Sequence, residues 1–232
     1  MPATEIHAPE GGRIGGHLSV PQSGSGPGVL VLMEIFGVGP YIRRATERLA
    51  ELGYVALAPD LYRRTEPGLE LDHDEAGLRR AFAAVQRLDH AGAVEDSIAA
   101  LADLRKRPEV GERPVAVLGF CLGGSLAYEV AAGSDPAAAV CYYGSTIPDS
   151  LDRAERIRCP VLFHFGAEDQ FIPLAAAERV CRAAAEHPGW ECHIQPDGGH
   201  AFDNHESEMF WRPAPAARAW KITREFLGRT LA

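Results

Sequence analysis

The sequence lacks the marks of a metal-binding, secreted or membrane-spanning protein. Its cysteines are few and odd in number, and no two form a C-x-x-C pair; they are Cys121, Cys141, Cys159, Cys181 and Cys192. This pattern argues against a metal cluster or a disulfide framework and favours a reducing compartment. No run approaches the ~18 apolar residues that span a bilayer, and the N-terminal segment lacks the apolar core of a secretory signal. We therefore expect a cytoplasmic protein that needs no metal or other cofactor and does not insert into a membrane.

Positive charge is also scarce. Lys and Arg number 23 against 32 Asp and Glu, which leaves a net charge of −9. Such a protein has no electrostatic means of binding nucleic acid or an anionic membrane, although a few local arginines would suffice for an anionic small molecule. Hydrophobic residues make up 46% of the 232 residues, which is enough for one large core. Because no repeat or long linker interrupts the chain, we expect a single domain over residues 1–232, as a monomer or small homo-oligomer.

Apolar strands alternate with amphipathic helices along the chain. A β-hairpin is predicted first, with strands over 5–8 and 13–20 around a Gly11-Gly12 turn. Further strands are predicted over 29–33, 54–58, 114–119, 138–143, 161–165 and 191–195, and helices over 41–52, 73–87, 93–107, 122–132, 174–186 and 214–228. Strands that are apolar on both faces and alternate with helices indicate an α/β fold, a largely parallel sheet with helices on both sides. In such sheets a ligand binds beyond the carboxyl ends of the strands.

The segment GFCLGG at 119–124 lies between a predicted strand and a predicted helix. It matches the G-x-S-x-G nucleophile elbow of α/β-hydrolases, with Cys121 in place of serine. Glycines are needed because the nucleophile sits on a tight, strained turn where nearby side chains would collide. The helix start also presents backbone amides that stabilise a thiolate and, later, an oxyanion. The alternative is a structural cysteine before a glycine-rich helix, since free cysteine is usually buried and inert.

Asp169 and His200 follow the nucleophile in the chain order of an α/β-hydrolase. Asp169 lies in the loop after the predicted strand 161–165, and His200 lies in the loop after the last predicted strand. Alone, His200 would be interpreted as a polar loop residue and Asp169 as a helix cap or turn residue. Three matches in order, each just after a strand, favour a catalytic triad instead. Glu168 is the competing acid.

The segment MEIFG at 33–37 follows the first buried strand. In this fold that loop supplies one oxyanion-binding amide, and the residue after the nucleophile supplies the other. We therefore assign the backbone N–H groups of Ile35 and Leu122 to an oxyanion hole. Glu34 is a carboxylate at the end of an all-apolar strand, so it is either a site residue or a solvated charge at the strand end.

Five motifs in this order resemble the dienelactone hydrolase (carboxymethylenebutenolidase) family of the α/β-hydrolase superfamily: MEIFGV, APDLY, GFCLGG, the Asp169 loop and GGHAF. The resemblance runs from about residue 13 to the C-terminus and implies an α/β-hydrolase fold. It implies that Cys121, Asp169 and His200 form the triad. It also implies that Glu34 contacts the thiol and helps to generate the thiolate when substrate binds.

The chain departs from this family where substrate is bound. The resemblance implies an arginine in the helix after APDLY that holds a substrate carboxylate; Arg79 is the best match, with Arg80 adjacent. The archetypal bacterial enzymes have a second such arginine four residues after the catalytic histidine, where this chain has Asn204. A neutral amide beside Asp203 cannot replace a charged bidentate contact, which argues against dienelactone itself as the natural substrate. The candidates for substrate contact are therefore Arg79, Phe36, Tyr143 and Asn204.

Together these residues predict a hydrolase that cleaves a small-molecule ester or lactone through a cysteine thioester. One alternative is a broader carboxylesterase or thioesterase on activated esters, which Asn204 favours mildly. Another is a non-catalytic binding protein that retains the hydrolase pocket. A redox or metal role for Cys121 with His200 is weaker, since no second cysteine has suitable spacing.

Overall fold

The structure, a computed structural model, describes residues 3–8 and 10–232, so residues 1, 2 and 9 of the predicted domain lie outside it. The strands in it are β1 (Ala3–His7), β2 (Arg13–Ser19), β3 (Gly28–Leu32), β4 (Val55–Pro59), β5 (Val115–Phe120), β6 (Ala139–Tyr142), β7 (Val161–Gly166) and β8 (Glu191–Gln195). The α-helices are α1 (Pro40–Glu51), α2 (Glu75–Val85), α3 (His90–Lys106), α4 (Leu122–Gly133), α5 (Leu174–Ala185) and α6 (Pro213–Thr230). Every predicted strand and helix is present, with its ends shifted by three residues at most.

The strands form one sheet in the order β1-β2-β4-β3-β5-β6-β7-β8. β1 and β2 are an antiparallel hairpin, β2 runs antiparallel to β4, and the remaining neighbours are parallel. β3, β4, β5 and β7 are buried along their whole length, as strands covered on both faces are. The predicted mostly parallel sheet with an N-terminal hairpin is confirmed. Its parallel strands bring the loops after β3, β5, β7 and β8 to the same edge.

Helices pack on both faces of this sheet. α3 and α4 contact each other and cover β3 and β5, while α1 packs on β3 and β4. α1 and α6 meet where the guanidinium of Arg48 lies 3.9 Å from the centre of the Trp220 ring. Within residues 3–8 and 10–232, no helix is both long enough and apolar enough to cross a membrane.

Aspartate caps fix where two helices begin. Asp89 accepts a hydrogen bond at 3.0 Å from the backbone N–H three residues later, so α3 begins at His90, earlier than predicted. Asp74 caps α2 in the same way at 2.7 Å, so that helix begins later than predicted. The sequence analysis missed two short 3₁₀ helices between β6 and β7, Ile147–Asp149 and Leu151–Arg156.

Cys181 and Cys192 form a disulfide that joins α5 to β8. The sequence analysis argued against a disulfide framework and did not foresee this bond. The two cysteines are 11 residues apart and belong to different elements, so only the packing of α5 on β8 brings them together. The cysteine pattern therefore no longer supports a reducing compartment. Cys121, Cys141 and Cys159 are free.

Candidate active site

Cys121 lies on a strained turn between β5 and α4. Its φ is 54° and its ψ −113°, a positive-φ conformation that is costly for a residue with a side chain. The neighbouring backbone leaves no room for side chains. A Cβ on Gly119 would collide with the carbonyl oxygen of Gly123, and a Cβ on Gly123 would collide with that of Leu32 at the end of β3. The turn therefore requires glycine and presents the Cys121 thiol at the amino end of α4.

His200 bridges Cys121 and Asp169. Its Nε2 lies 3.1 Å from the Cys121 sulfur, and its Nδ1 lies 2.8 Å from Asp169 Oδ2. Asp169 is in turn fixed by its other oxygen, Oδ1, which accepts the backbone N–H groups of Phe171 at 2.8 Å and Ile172 at 3.0 Å. Asp169 and His200 are buried, whereas Cys121 is partly accessible. The three side chains that the sequence analysis selected are thus in hydrogen-bond contact, and Asp169 rather than Glu168 is the acid that contacts His200.

The pKa of His200 is raised to about 10. Burial by itself lowers this pKa, because the imidazolium loses hydration. The other effects raise the pKa of His200. They are the negative charge of Cys121, the hydrogen bonds to Asp169 and Cys121, and the charge of Asp169. Together these effects outweigh burial, so the protonated form of His200 is favoured at neutral pH.

The two residues assigned to an oxyanion hole, Ile35 and Leu122, lie beside Cys121 at the cavity. Leu122 is the first residue of α4, so its N–H has no carbonyl partner within the helix. Ile35 follows the end of β3, and its carbonyl accepts the buried Tyr62 hydroxyl at 2.9 Å, which anchors that loop. Both residues line the same cavity as Cys121. Donors held in this way do not need to reorganise when charge develops on a substrate oxygen.

Glu34 is buried and is not a solvated strand-end charge. Its Oε2 accepts a hydrogen bond from Asn204 Nδ2 at 2.8 Å and lies 3.2 Å from His73 Nε2. Its Oε1 is buried and, within the described part of the chain, has no hydrogen-bond partner. A buried carboxylate oxygen without a partner is costly, and such groups mark functional sites more often than stable cores.

Cys121, His200 and Glu34 line one cavity of about 250 Å³. Most of its wall is apolar and comes from the loops after β3, β7 and β8, from α2 and from the start of α4: Ile35, Phe36, Leu78, Phe82, Val85, Leu122, Phe171, Ala201 and Phe210. The remaining lining residues are polar: His90, Ser125, Ser145 and Thr146. The side chains of Cys121, His200 and Glu34 therefore open into a small, largely apolar chamber at the carboxyl edge of the sheet, where the fold class predicts a ligand site.

Of the four residues expected to contact substrate, one lines the cavity and three do not. Phe36 lines the cavity. Arg79 lies on the exposed side of α2, 3.8 Å from Glu75, because the inward face of that helix is taken by apolar side chains. Tyr143 is fully buried with its ring centre 5.3 Å from that of His200, so it supports the imidazole from outside the cavity lining. Asn204 is fully buried and is bonded to Glu34, which removes it from the cavity wall.

Sequence reasoning missed three residues that shape the site. Tyr62 is the last residue of the APDLY motif and donates its hydroxyl to the Ile35 carbonyl. Its place in that motif was the sequence feature that could have pointed to it. His73 contacts Glu34 from a loop 39 positions away, and its ring packs at a tilt against Phe36, with ring centres 4.3 Å apart. His90 begins α3 and lines the cavity. Nothing in the local sequence around either histidine indicates these contacts, because both depend on how the loops pack.

A family model and the sequences of known proteins identify the same family for this chain. The model of the Dienelactone hydrolase family matches residues 14–231. A carboxymethylenebutenolidase from Pseudomonas sp. (strain P51) is 39% identical over 225 residues, which cover 97% of this chain and 93% of that protein.

Solved structures agree in fold over the full chain. A Klebsiella pneumoniae protein provisionally named a dienelactone hydrolase superposes with a TM-score of 0.84 at 27% identity, over 98% of both chains. A dienelactone hydrolase-like promiscuous phosphotriesterase from metagenomic libraries gives a TM-score of 0.82 at 26% identity, over 100% of this chain and 99% of that one.

Proposed function

The chain belongs to the dienelactone hydrolase family, and we propose from this that it cleaves an ester or lactone bond through a thioester on Cys121. That it is a dienelactone hydrolase-like hydrolase follows from the family; the use of the thiol is our proposal. One observation carries it. His200 Nε2 lies 3.1 Å from the Cys121 sulfur while Nδ1 contacts Asp169, the arrangement of an activated nucleophile.

In the first step the Cys121 thiolate attacks the substrate carbonyl carbon. The carbonyl oxygen takes up negative charge and accepts hydrogen bonds from the Ile35 and Leu122 N–H groups. The tetrahedral intermediate collapses, the bond to the leaving oxygen breaks, and a thioester remains on Cys121. The leaving oxygen departs as an enolate or takes a proton from the His200 imidazolium. An enolate leaves readily, which suits a thiol nucleophile because thiolate is itself a good leaving group.

In the second step water hydrolyses the thioester. Acylation removes the sulfur charge that raised the pKa of His200, so an imidazolium that has not protonated the leaving oxygen releases its proton to solvent. The neutral imidazole can then accept a proton from water. Hydroxide attacks the carbonyl carbon, the carbon–sulfur bond breaks, and Cys121 returns to thiolate beside the protonated His200. Asp169 keeps the imidazole oriented in both steps.

Glu34 is assigned to the control of the Cys121 proton. The resemblance to the family suggests this role, and two observations support it: Glu34 shares the cavity with Cys121, and its Oε1 is buried without a partner in the described residues. Any Cys121 that is a thiol when substrate binds can pass its proton to the free oxygen of this carboxylate, so Glu34 would return the sulfur to the thiolate form that attacks.

The test compares two alanine variants on a 4-nitrophenyl ester. Cys121→Ala should lose at least ~10³-fold in kcat, since removal of a triad nucleophile abolishes covalent catalysis. Cys159→Ala is the matched control, because Cys159 is free and buried but does not line the cavity, and it should keep full activity. Cys121→Ser should retain weak esterase activity.

Unchanged turnover by Cys121→Ala would reject the proposal. Iodoacetamide labelling separates the proposal from a binding protein that retains the pocket. One thiol that reacts rapidly at neutral pH supports catalysis, whereas equally inert free thiols support the binding protein.

A further inference from the structure

We propose that the substrates are uncharged esters or lactones with an apolar substituent, and that substrates bearing a carboxylate are disfavoured. This inference rests on the proposed hydrolase function and names the substrate class for the same site. Its basis is the chemistry of the cavity wall. Of the residues that line the cavity, most are aliphatic or aromatic, and neither lysine nor arginine is among them. A chamber of about 250 Å³ of this kind binds by burying apolar surface.

The charges at the cavity do not favour an anion. Apart from Cys121 and His200, the ionisable side chains in its lining are Glu34 and His90. Glu34 receives hydrogen bonds from the neutral amide of Asn204 and contacts His73, and no arginine contacts it in the described chain. The imidazolium of His200 is already paired with Asp169 and the Cys121 sulfur. A substrate carboxylate in this cavity would therefore lie near the buried Glu34 without an unpaired cation to compensate its loss of water.

The His90 side chain already has a carboxylate partner within the protein. Its Nε2 lies 2.7 Å from Glu129 Oε1, and this hydrogen bond raises the pKa of His90 above its usual range. Glu129 also pairs with Arg153. His90 therefore lines the cavity with its Nε2 already engaged by Glu129, and that nitrogen is not free to bind a substrate carboxylate.

The arginines of α2 are likewise unavailable to the cavity. Arg79 is exposed beside Glu75, and Arg80 pairs with Glu66 on the outer surface. The inward face of the helix carries Leu78, Phe82 and Val85 instead. A helix side chain cannot move from one face to the other without turning the helix, so neither arginine is part of the cavity wall.

Two aromatic rings mark where an apolar substituent would bind. Phe82 and Phe171 both line the cavity, yet each keeps 43% of its surface exposed, and their ring centres are 6.1 Å apart. Large apolar side chains exposed as a pair at a cavity are typical of binding sites. We infer that they cover the acyl or alcohol part of the substrate that projects from the chamber.

The first measurement uses the intact chain and two esters that share a leaving group and chain length, 4-nitrophenyl hexanoate and 4-nitrophenyl hydrogen adipate. The hexanoate should have the higher kcat/KM by at least ~10-fold, because the terminal carboxylate of the adipate would meet an apolar wall and Glu34. Equal values, or a preference for the adipate, would overturn this inference while leaving the hydrolase function intact. Hydrolysis of neither ester would overturn the proposed function and this inference with it.

The second measurement introduces a cation at the cavity mouth. Phe82→Arg should raise kcat/KM for the adipate relative to the hexanoate by ~10-fold, since the partly exposed guanidinium can meet the substrate carboxylate. Phe82→Gln is the matched control, because it removes the same ring without adding charge. It should lower kcat/KM for the hexanoate without raising kcat/KM for the adipate. The same adipate gain in both variants would overturn the electrostatic part of the inference.

Discussion

At the scale of single residues, the site depends on two charges that stabilise each other. His200 is buried, and burial disfavours its protonated form, yet its pKa is raised to about 10. The largest of the effects that raise it is the negative charge of Cys121, whose sulfur lies 3.1 Å from Nε2. The imidazolium should therefore persist through neutral pH only while the sulfur is negative, and this coupling lets one histidine act as an acid and then as a base.

Removing the sulfur should lower the pKa of His200. In Cys121→Ala the burial remains but the main opposing charge is gone, so the titration midpoint should move down from about 10 towards the ordinary value near ~6.5. NMR titration of the imidazole nitrogens measures the titration midpoint of His200. Cys159→Ala should leave the midpoint in place, and a midpoint that stayed near 10 in Cys121→Ala would contradict the coupling.

Glu34 is the second residue whose behaviour is set by its neighbours. Its Oε2 is held by Asn204 and His73 in a site with no arginine contact in the described residues. Asn204 was expected to bind substrate, because the sequence suggested only that it stands where the family has an arginine. The structure shows it bonded to Glu34 instead. His73 is the other group holding this carboxylate.

Substitution of His73 should impair catalysis through Glu34. A hydrogen bond to a charged group contributes about 1.5–3 kcal/mol, so His73→Leu should lower kcat/KM by ~10-fold or more. His73→Gln keeps a donor and should recover most of the loss. Steady-state kinetics with melting curves distinguishes this positioning role from misfolding. Equal losses in both variants, or none in either, would argue against it.

At the scale of elements, the strand–turn–helix around Cys121 is the most constrained part of the chain. β5 ends just before Cys121, the turn holds Cys121 at positive φ, and α4 begins one residue later. This local arrangement was predictable because glycine spacing is imposed by backbone collisions within one short segment. The starts of α2 and α3 were less predictable, since several polar residues compete to cap a helix and only the fold selects one.

Alanine at Gly123 should break the elbow. Its Cβ would collide with the Leu32 carbonyl of β3, a backbone atom that cannot move aside, so we expect a loss of about 2–3 kcal/mol in unfolding free energy together with loss of activity. Gly228 in α6 has open space around it, and Gly228→Ala should stabilise the protein by about 0.5–1 kcal/mol. Denaturant unfolding of both variants measures the difference. Equal stability would refute the collision argument.

The Cys181–Cys192 bond should stabilise the edge of the sheet where α5 meets β8. Closing a loop of this size contributes about 2–3 kcal/mol, so a reducing agent should lower the melting temperature by several degrees. The double variant Cys181→Ser with Cys192→Ser should melt at the lower temperature, and its melting temperature should not change when a reducing agent is added. Five free thiols in the denatured, unreduced protein would show that the bond does not form.

At the scale of the whole molecule, topology assembles the site from distant segments. Glu34, Cys121, Asp169 and His200 follow β3, β5, β7 and β8, and the parallel sheet brings these strand ends to one edge. That is why the order of motifs was enough to select the four residues without coordinates. Side-chain direction was not predictable in the same way. Which face of α2 carries Arg79 depends on the packing of the whole helix, and the partners of Glu34 depend on two loops folding over it.

The central claim is that the substrate's acyl group becomes bonded to the Cys121 sulfur. Mass spectrometry of enzyme quenched in acid during turnover of a 4-nitrophenyl ester tests it directly. We predict a mass increase equal to the acyl group, located on the peptide that contains Cys121, and none in Cys121→Ala. Rapid turnover with no acyl adduct, or an adduct on a different residue, would contradict the account.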